Sequence, residues 1–210
     1  GKMVLTTEKP SLEGTVAISG TPKIGQILTV DTAGVTSTIS DNLTYKWYRG
    51  DETVGATGSS YTPSEAADVG KTIKVEVSAT NQSGVLTSTT TDVVAKADYS
   101  GAVNTPSVGS TTDTQVIADK EDGYEYGVTL KSATNEPASW TMTGIISGLT
   151  PNTEYKLWSR VATTDTMEAS EAKSVEFTTD KASADSDLQN TLKDAIAAYN
   201  APYDLSLIHI

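Results

Sequence analysis

In the run Lys71-Thr-Ile-Lys-Val-Glu-Val-Ser-Ala79, the eight residues from Thr72 onward alternate polar and apolar side chains without a break. A strand sends successive side chains to opposite faces, so Ile73, Val75, Val77 and Ala79 share one face and Thr72, Lys74, Glu76 and Ser78 the other. Such a segment belongs in a sheet with one dry and one wet face, which is the antiparallel condition. A shorter stretch repeats the pattern, with Leu43, Tyr45 and Trp47 on one face and Thr44, Lys46 and Tyr48 on the other.

Turn signals punctuate these strands. Pro22 and Gly25 precede Gln26–Val30, and Asn81-Gln-Ser-Gly84 reads as a hairpin turn into Val85–Thr89. Further on, Thr114–Ala118 and Tyr124–Val128 flank the turn Asp119–Gly123, and Ser174–Thr179 is the last strand, with Val175 and Phe177 facing inward. Short strands at regular spacing predict β-sandwiches, and 210 residues suit two of them. The predicted organisation is a sandwich over 10–97, a linker over 98–105 that restricts relative motion, a second sandwich over 106–182, and the start of a further module over 183–204. In that last piece Ser186 is the expected N-cap, with Gln189 completing a capping box, and a helix is expected over about 187–200. The fold class is therefore all-β, two tandem sandwiches with a short C-terminal helix.

Charge and composition exclude several classes of function. With 15 basic against 27 acidic residues the net charge is −12, and the acid is spread along the chain. No cationic face is available to displace counterions from phosphates, so neither nucleic acid nor an anionic membrane surface is an expected partner. Cysteine is absent, which removes disulfides and thiolate sites. The start, Gly1–Leu5, offers no signal-peptide core, and the chain reads as an internal fragment. Leu205–Ile210 resembles the translated end of a sequencing-library adapter. It is set aside, and the native sequence is expected to differ after about Asp204. His209, the only histidine, goes with it.

Without histidine or cysteine, a histidine-activated nucleophile cannot be built. Two carboxylate pairs, Asp51 with Glu52 and Glu121 with Asp122, sit beside glycines in expected turns, where acidic residues are ordinary. Asp119, Glu121 and Asp122 supply oxygens at alternate spacing for calcium but lack the rest of a twelve-residue loop; a plain turn is the competing reading. No catalytic residues, cofactor or metal are assigned.

The order Lys23-Ile-Gly-Gln-Ile-Leu, Tyr45-Lys-Trp-Tyr-Arg49, Tyr61-Thr-Pro and Ala67-Asp-Val-Gly-Lys-Thr-Ile-Lys-Val75 resembles bacterial immunoglobulin-like repeats of surface proteins. In that resemblance Trp47 is the buried tryptophan of the third strand, here without a disulfide. Ile145-Ile-Ser-Gly-Leu-Thr-Pro-Asn-Thr-Glu-Tyr155 resembles the fibronectin type III signature, with Leu149, Pro151 and Tyr155 in the positions of a tyrosine corner. Ser159 departs from that family, which places an apolar residue there. The expected core residues are Trp47, Tyr45, Ile73, Val75, Val77, Leu149, Pro151 and Tyr155, joined by Tyr126.

The resemblance implies non-catalytic spacer and adhesion modules of a multidomain secreted or wall-attached protein from a Gram-positive bacterium, monomeric and located outside the cell. The expected partners are cell-wall or extracellular polysaccharide, or a host or neighbouring protein. The alternative is a carbohydrate-binding accessory module of a secreted polysaccharide-degrading enzyme, with Tyr48, Trp140 and Trp158 as ligand-contact candidates. Lys–Asn or Lys–Asp isopeptide crosslinks, known in wall-anchored sandwiches, are left open by the sequence.

Overall fold

The computed structural model describes residues 8–36 and 41–199. They form two compact units with a boundary between Ser100 and Gly101; the segment 163–169 groups with the first unit. Residues 205–210 and His209 lie outside the described residues.

The first unit contains β1 (Ala17–Ser19), β2 (Leu28–Asp31), β3 (Leu43–Arg49), β4 (Glu52–Thr53), β5 (Ser60–Tyr61), β6 (Ile73–Ala79) and β7 (Leu86–Thr87). One sheet has the order β1-β2-β5 and the other β4-β3-β6-β7. The two longest strands pair antiparallel, with Trp47 opposite Val75 and Tyr45 opposite Val77. Alternation then delivers the apolar face inward: Trp47, Ile73, Val75 and Val77 are completely buried with Leu28, and Tyr45 and Leu43 pack against their margin. Trp47 anchors this core. Its ring lies 5.8 Å from that of Tyr61, tilted by 36°. Its indole N–H donates to the Gly58 carbonyl at 2.9 Å, so full burial leaves no donor unpaired.

The second unit contains β8 (Val108–Thr111), β9 (Gln115–Ala118), β10 (Tyr124–Leu130), β11 (Ile145–Ser147), β12 (Glu154–Val161) and β13 (Lys173–Thr178). Its sheets are β8-β9-β11 and β10-β12-β13. Without the two-residue β4, the two units have the same order: first, second and fourth strands in one sheet, third, fifth and sixth in the other. Connections that cross between sheets in this way define the immunoglobulin-like, fibronectin type III-like sandwich. The chain is thus all-β apart from short helical pieces, as the alternation predicts.

The second core gathers Val116, Ala118, Tyr124, Tyr126 and Leu157, with Leu149, Val175 and Phe177 packed against it. Tyr155 is buried and stacks on Phe177 at 5.7 Å and 23°. The Thr150 amide donates to the Tyr155 hydroxyl at 2.9 Å. That bond closes the tyrosine corner, with Pro151 in the turn and Asn152 in the left-handed region at φ 46°. Asparagine tolerates that conformation better than most residues. Ser159 follows Tyr155 and Leu157 on the inner face of β12 and is 1% exposed. Its hydroxyl donates to the Asn104 carbonyl at 3.2 Å, which explains how a polar residue occupies an apolar position.

The C-terminal helix α1 spans Ala184–Tyr199. It begins earlier than the predicted 187, so Ser186 falls inside the helix and is not its N-cap. Ser183 precedes the first helical residue, and Ala184 is a strong helix former that lets the helix start there. Leu188, Leu192, Ile196 and Tyr199 form an exposed apolar stripe along it.

Gly127 in β10 faces Pro137, and a Cβ there would lie 2.6 Å from the Pro137 Cγ and 2.9 Å from the Ser139 carbonyl oxygen. Gly127→Ala is expected to destabilise the second unit by about 2 kcal/mol through this overlap. Chemical denaturation followed at the second unit's tryptophans checks it.

Candidate binding surface

Tyr48 lies on the wet face of β3 in the first unit, opposite Lys74 on β6. Its hydroxyl donates to Glu76 Oε2 at 2.6 Å. The ammonium groups of Lys46 and Lys74 each sit 5.1 Å from its ring centroid. Both lysines thus lay cationic heads against the ring that a ligand would otherwise stack on.

The two other ring candidates belong to the second unit. Trp158 points to the wet face of β12, opposite Gly127. Its indole N–H donates to Thr129 Oγ1 at 2.9 Å, and Lys156 Nζ lies 6.0 Å from the ring. Trp140 comes from the segment that folds back beside β10, held by the exchange of both backbone hydrogen bonds between Tyr126 and Thr141 at 2.8 Å. The Arg160 guanidinium stacks 4.2 Å from the Trp140 ring centroid. Arg160 is itself fixed by Glu125 at 2.5 Å and lies 3.9 Å from Glu136. Trp140 also walls a groove of about 250 Å³ between β10 and β11.

Four of the five acidic candidates are engaged locally. Asp51 lies 3.8 Å from Lys74, and Glu52 lies 3.9 Å from Arg49. Asp119 accepts from Ser107 at 2.7 Å and Glu121 from Asn104 at 2.7 Å. The Glu121 amide also donates to the Tyr126 hydroxyl at 2.8 Å, so this loop is tied to the core. Among the described residues no group of three or more acidic or histidine side chains converges on a metal position. Likewise no helix among them is long and apolar enough to cross a membrane.

One heavily bonded, fully buried polar group was passed over by the sequence reading. Asp68 is completely buried at the end of a short 3-10 helix, Ala66–Asp68. Its Oδ1 accepts from the Tyr61 hydroxyl at 2.6 Å and from Arg49 Nη1 at 3.1 Å. Its Oδ2 accepts the amides of Ser64 and Glu65, both at 2.9 Å. Arg49 Nη1 also reaches Glu65 at 2.9 Å. Burial works against ionisation of Asp68. The Tyr61 hydroxyl, the two amides and the Arg49 guanidinium outweigh it and hold the carboxyl below its ordinary value. For Tyr61 the same burial, together with the bond to Asp68, pushes the phenol up. The spacing of Glu65 and Asp68, three apart, is the one local trace of this site in the sequence.

No protein-family model matches the chain, and no curated protein matches it. Solved structures that resemble it include the three N-terminal domains of the highly immunogenic outer capsid protein (Hoc) of bacteriophage RB49. That match has 19% identity and a TM-score of 0.36, over 80% of this chain and 59% of that one. The chain therefore spans 59% of the phage chain's length. The FN1–FN3 domains of chicken CNTN1 match at 14% identity and TM-score 0.31, over 83% of this chain and 66% of that one. A two-domain fibronectin type III segment of chicken tenascin matches at 12% identity and TM-score 0.41, over 82% of this chain and all of that one. At such values the assignment of the fold rests on strand order and register.

Because the Asp68 carboxyl is depressed, its contribution to folding is complete above the unfolded value of about 3.9 and is lost as pH falls through the folded value. The first unit is therefore expected to lose stability steeply below about pH 4. Asp68→Asn should flatten that acid limb, and Arg49→Met should cost about 3 kcal/mol at neutral pH by stranding a buried carboxylate. Denaturation midpoints of the first unit between pH 2 and 7 check both.

Proposed function

We propose that the two units are non-catalytic spacer and adhesion modules of a larger secreted or wall-attached bacterial surface protein. The observation that carries this reading is the repetition of one sandwich order in series, each copy closed on its own core. Each copy also has its own polar tie: the Asp68 cluster in the first, and the Tyr155 corner in the second. A module that projects a distant domain must stay folded by itself while its neighbours are stretched or exchanged. Separate cores and separate ties meet that requirement, because among the described residues each core is built from its own unit's side chains.

In this reading the net charge of −12 keeps the modules soluble and apart, in keeping with a monomer. The turns at either end of each sandwich are the natural places to present contacts to a polysaccharide or a neighbouring protein, since loops tolerate variation that the sheets do not. The Gram-positive origin and the location outside the cell rest on the resemblance of the quoted motifs to surface-protein repeats.

Stretching the whole chain between two anchored ends is expected to give two separate unfolding events. Trp47→Ala, which empties the centre of the first core at a cost of about 4 kcal/mol, should weaken or abolish one event and leave the other unchanged. A single cooperative event, lost as a whole in Trp47→Ala, rejects independent modules.

A further inference from the structure

The groove beside Trp140 differs in character from the surface around it. One-fifth of the residues in this chain are charged, yet none of those lining the groove is. Its walls combine the Trp140 indole and Ile145, which is 49% exposed, with the hydroxyl-bearing Ser139, Thr141 and Ser147. Its floor includes the edge of β10 at Val128. Tyr126 spends its amide and carbonyl on Thr141, so by strand alternation the amide and carbonyl of Val128 face the same side.

These features match one kind of ligand. A flat apolar wall opposite hydroxyls and a strand edge suits a ring with an apolar face and a polar rim. A lining without charge suits a ligand without charge. The volume of about 250 Å³ falls below the range of pockets that enclose drug-sized molecules, and fits a single sugar ring. The wall is also preset. Arg160 stacks on the indole and is held by Glu125, so the ring has little freedom left to lose on binding.

We propose that this groove is a subsite for one pyranose ring of a neutral polysaccharide. Trp140 and Ile145 pack on the sugar's apolar face, and Ser139, Thr141, Ser147 and the Val128 backbone hydrogen-bond its hydroxyls. A single ring in an open groove binds weakly, with a Kd of about 1 mM, and gains strength only when many copies engage one polymer. This site goes beyond the spacer role, which stands whether or not the groove is occupied and is tested separately by the two unfolding events.

The test is titration of the whole chain with soluble neutral oligosaccharides of glucose, mannose and xylose, followed by the NMR signal of the Trp140 indole N–H. A saturable shift with at least one of them is expected. Trp140→Ala should weaken affinity electrophoresis in the matching polysaccharide at least tenfold. Ile145→Asp, a surface change that places a charge in the groove without emptying a core position, should do the same, while Trp158→Phe should leave binding unchanged. No shift with any of these sugars overturns the proposal. So does sugar binding that survives both groove variants, or a proline-rich peptide that shifts Trp140 where sugars do not.

Discussion

A strand can bury only every second side chain, and each sandwich here has only a few strands long enough to contribute three or more. The core of each unit is therefore a thin layer between two sheets, roughly 10 Å thick. Only one phenylalanine is present in the chain, so a few large side chains carry the filling: Trp47 in the first unit, and Tyr124, Tyr126 and Tyr155 in the second. Each of these residues brings a polar atom into the interior. The fold consequently depends on giving every such atom a partner at the rim. The Trp47 indole reaches Gly58, the Tyr126 hydroxyl takes the Glu121 amide, and the Tyr155 hydroxyl takes that of Thr150. Those bonds are where loops are fastened to sheets, so core filling and loop placement are one problem with one solution.

The wet faces show the converse. A ring exposed on a sheet loses little by accepting a neighbour's aliphatic stem and charged head, and both units use this. Lys46 precedes Tyr48 by two residues and Lys156 precedes Trp158 by two, which places each lysine beside its ring on the same face. Trp140 is different because its cation comes from another element, leaving the ring at the side of a groove. Covering by a lysine on the same strand costs a ligand the displacement of that head. At Trp140 the cation stabilises the ring's position without entering the lining.

Much of this was legible from alternation alone. Lys71–Ala79 and Leu43–Arg49 declare their faces because one side meets water, and the fibronectin-like corner declares itself through Leu149, Pro151 and Tyr155. The lysine-aromatic spacing was equally present in the sequence, since period two makes i and i+2 neighbours. The Asp68 site was not legible, because Arg49, Tyr61 and Asp68 meet only after β3 and β5 have joined different sheets and the turn at 64–68 has closed between them. Two-residue strands such as β4 and β5 escape periodicity altogether, since two residues cannot show a period. The start of α1 shifted for a related reason: serines at both 183 and 186 offer caps, and helix propensity at Ala184 decides between them.

Two units of one topology have thus reached different solutions for the same need. The first fastens its turn with a buried carboxylate, which must be desolvated and stays favourable only while Arg49, Tyr61 and two amides all remain in place. The second fastens its turns with tyrosine hydroxyls bonded to backbone amides, which demand less of their surroundings than a buried carboxylate does. Removing one bond from the tyrosine corner leaves a single backbone amide to find water. Removing one partner from Asp68 leaves a charge in the interior. The ionic tie therefore makes the first unit less tolerant of change at its rim, and its turn at 64–68 is the more constrained of the two ends. Variation in loops is correspondingly easier to accommodate on the second unit, where the groove beside Trp140 is found.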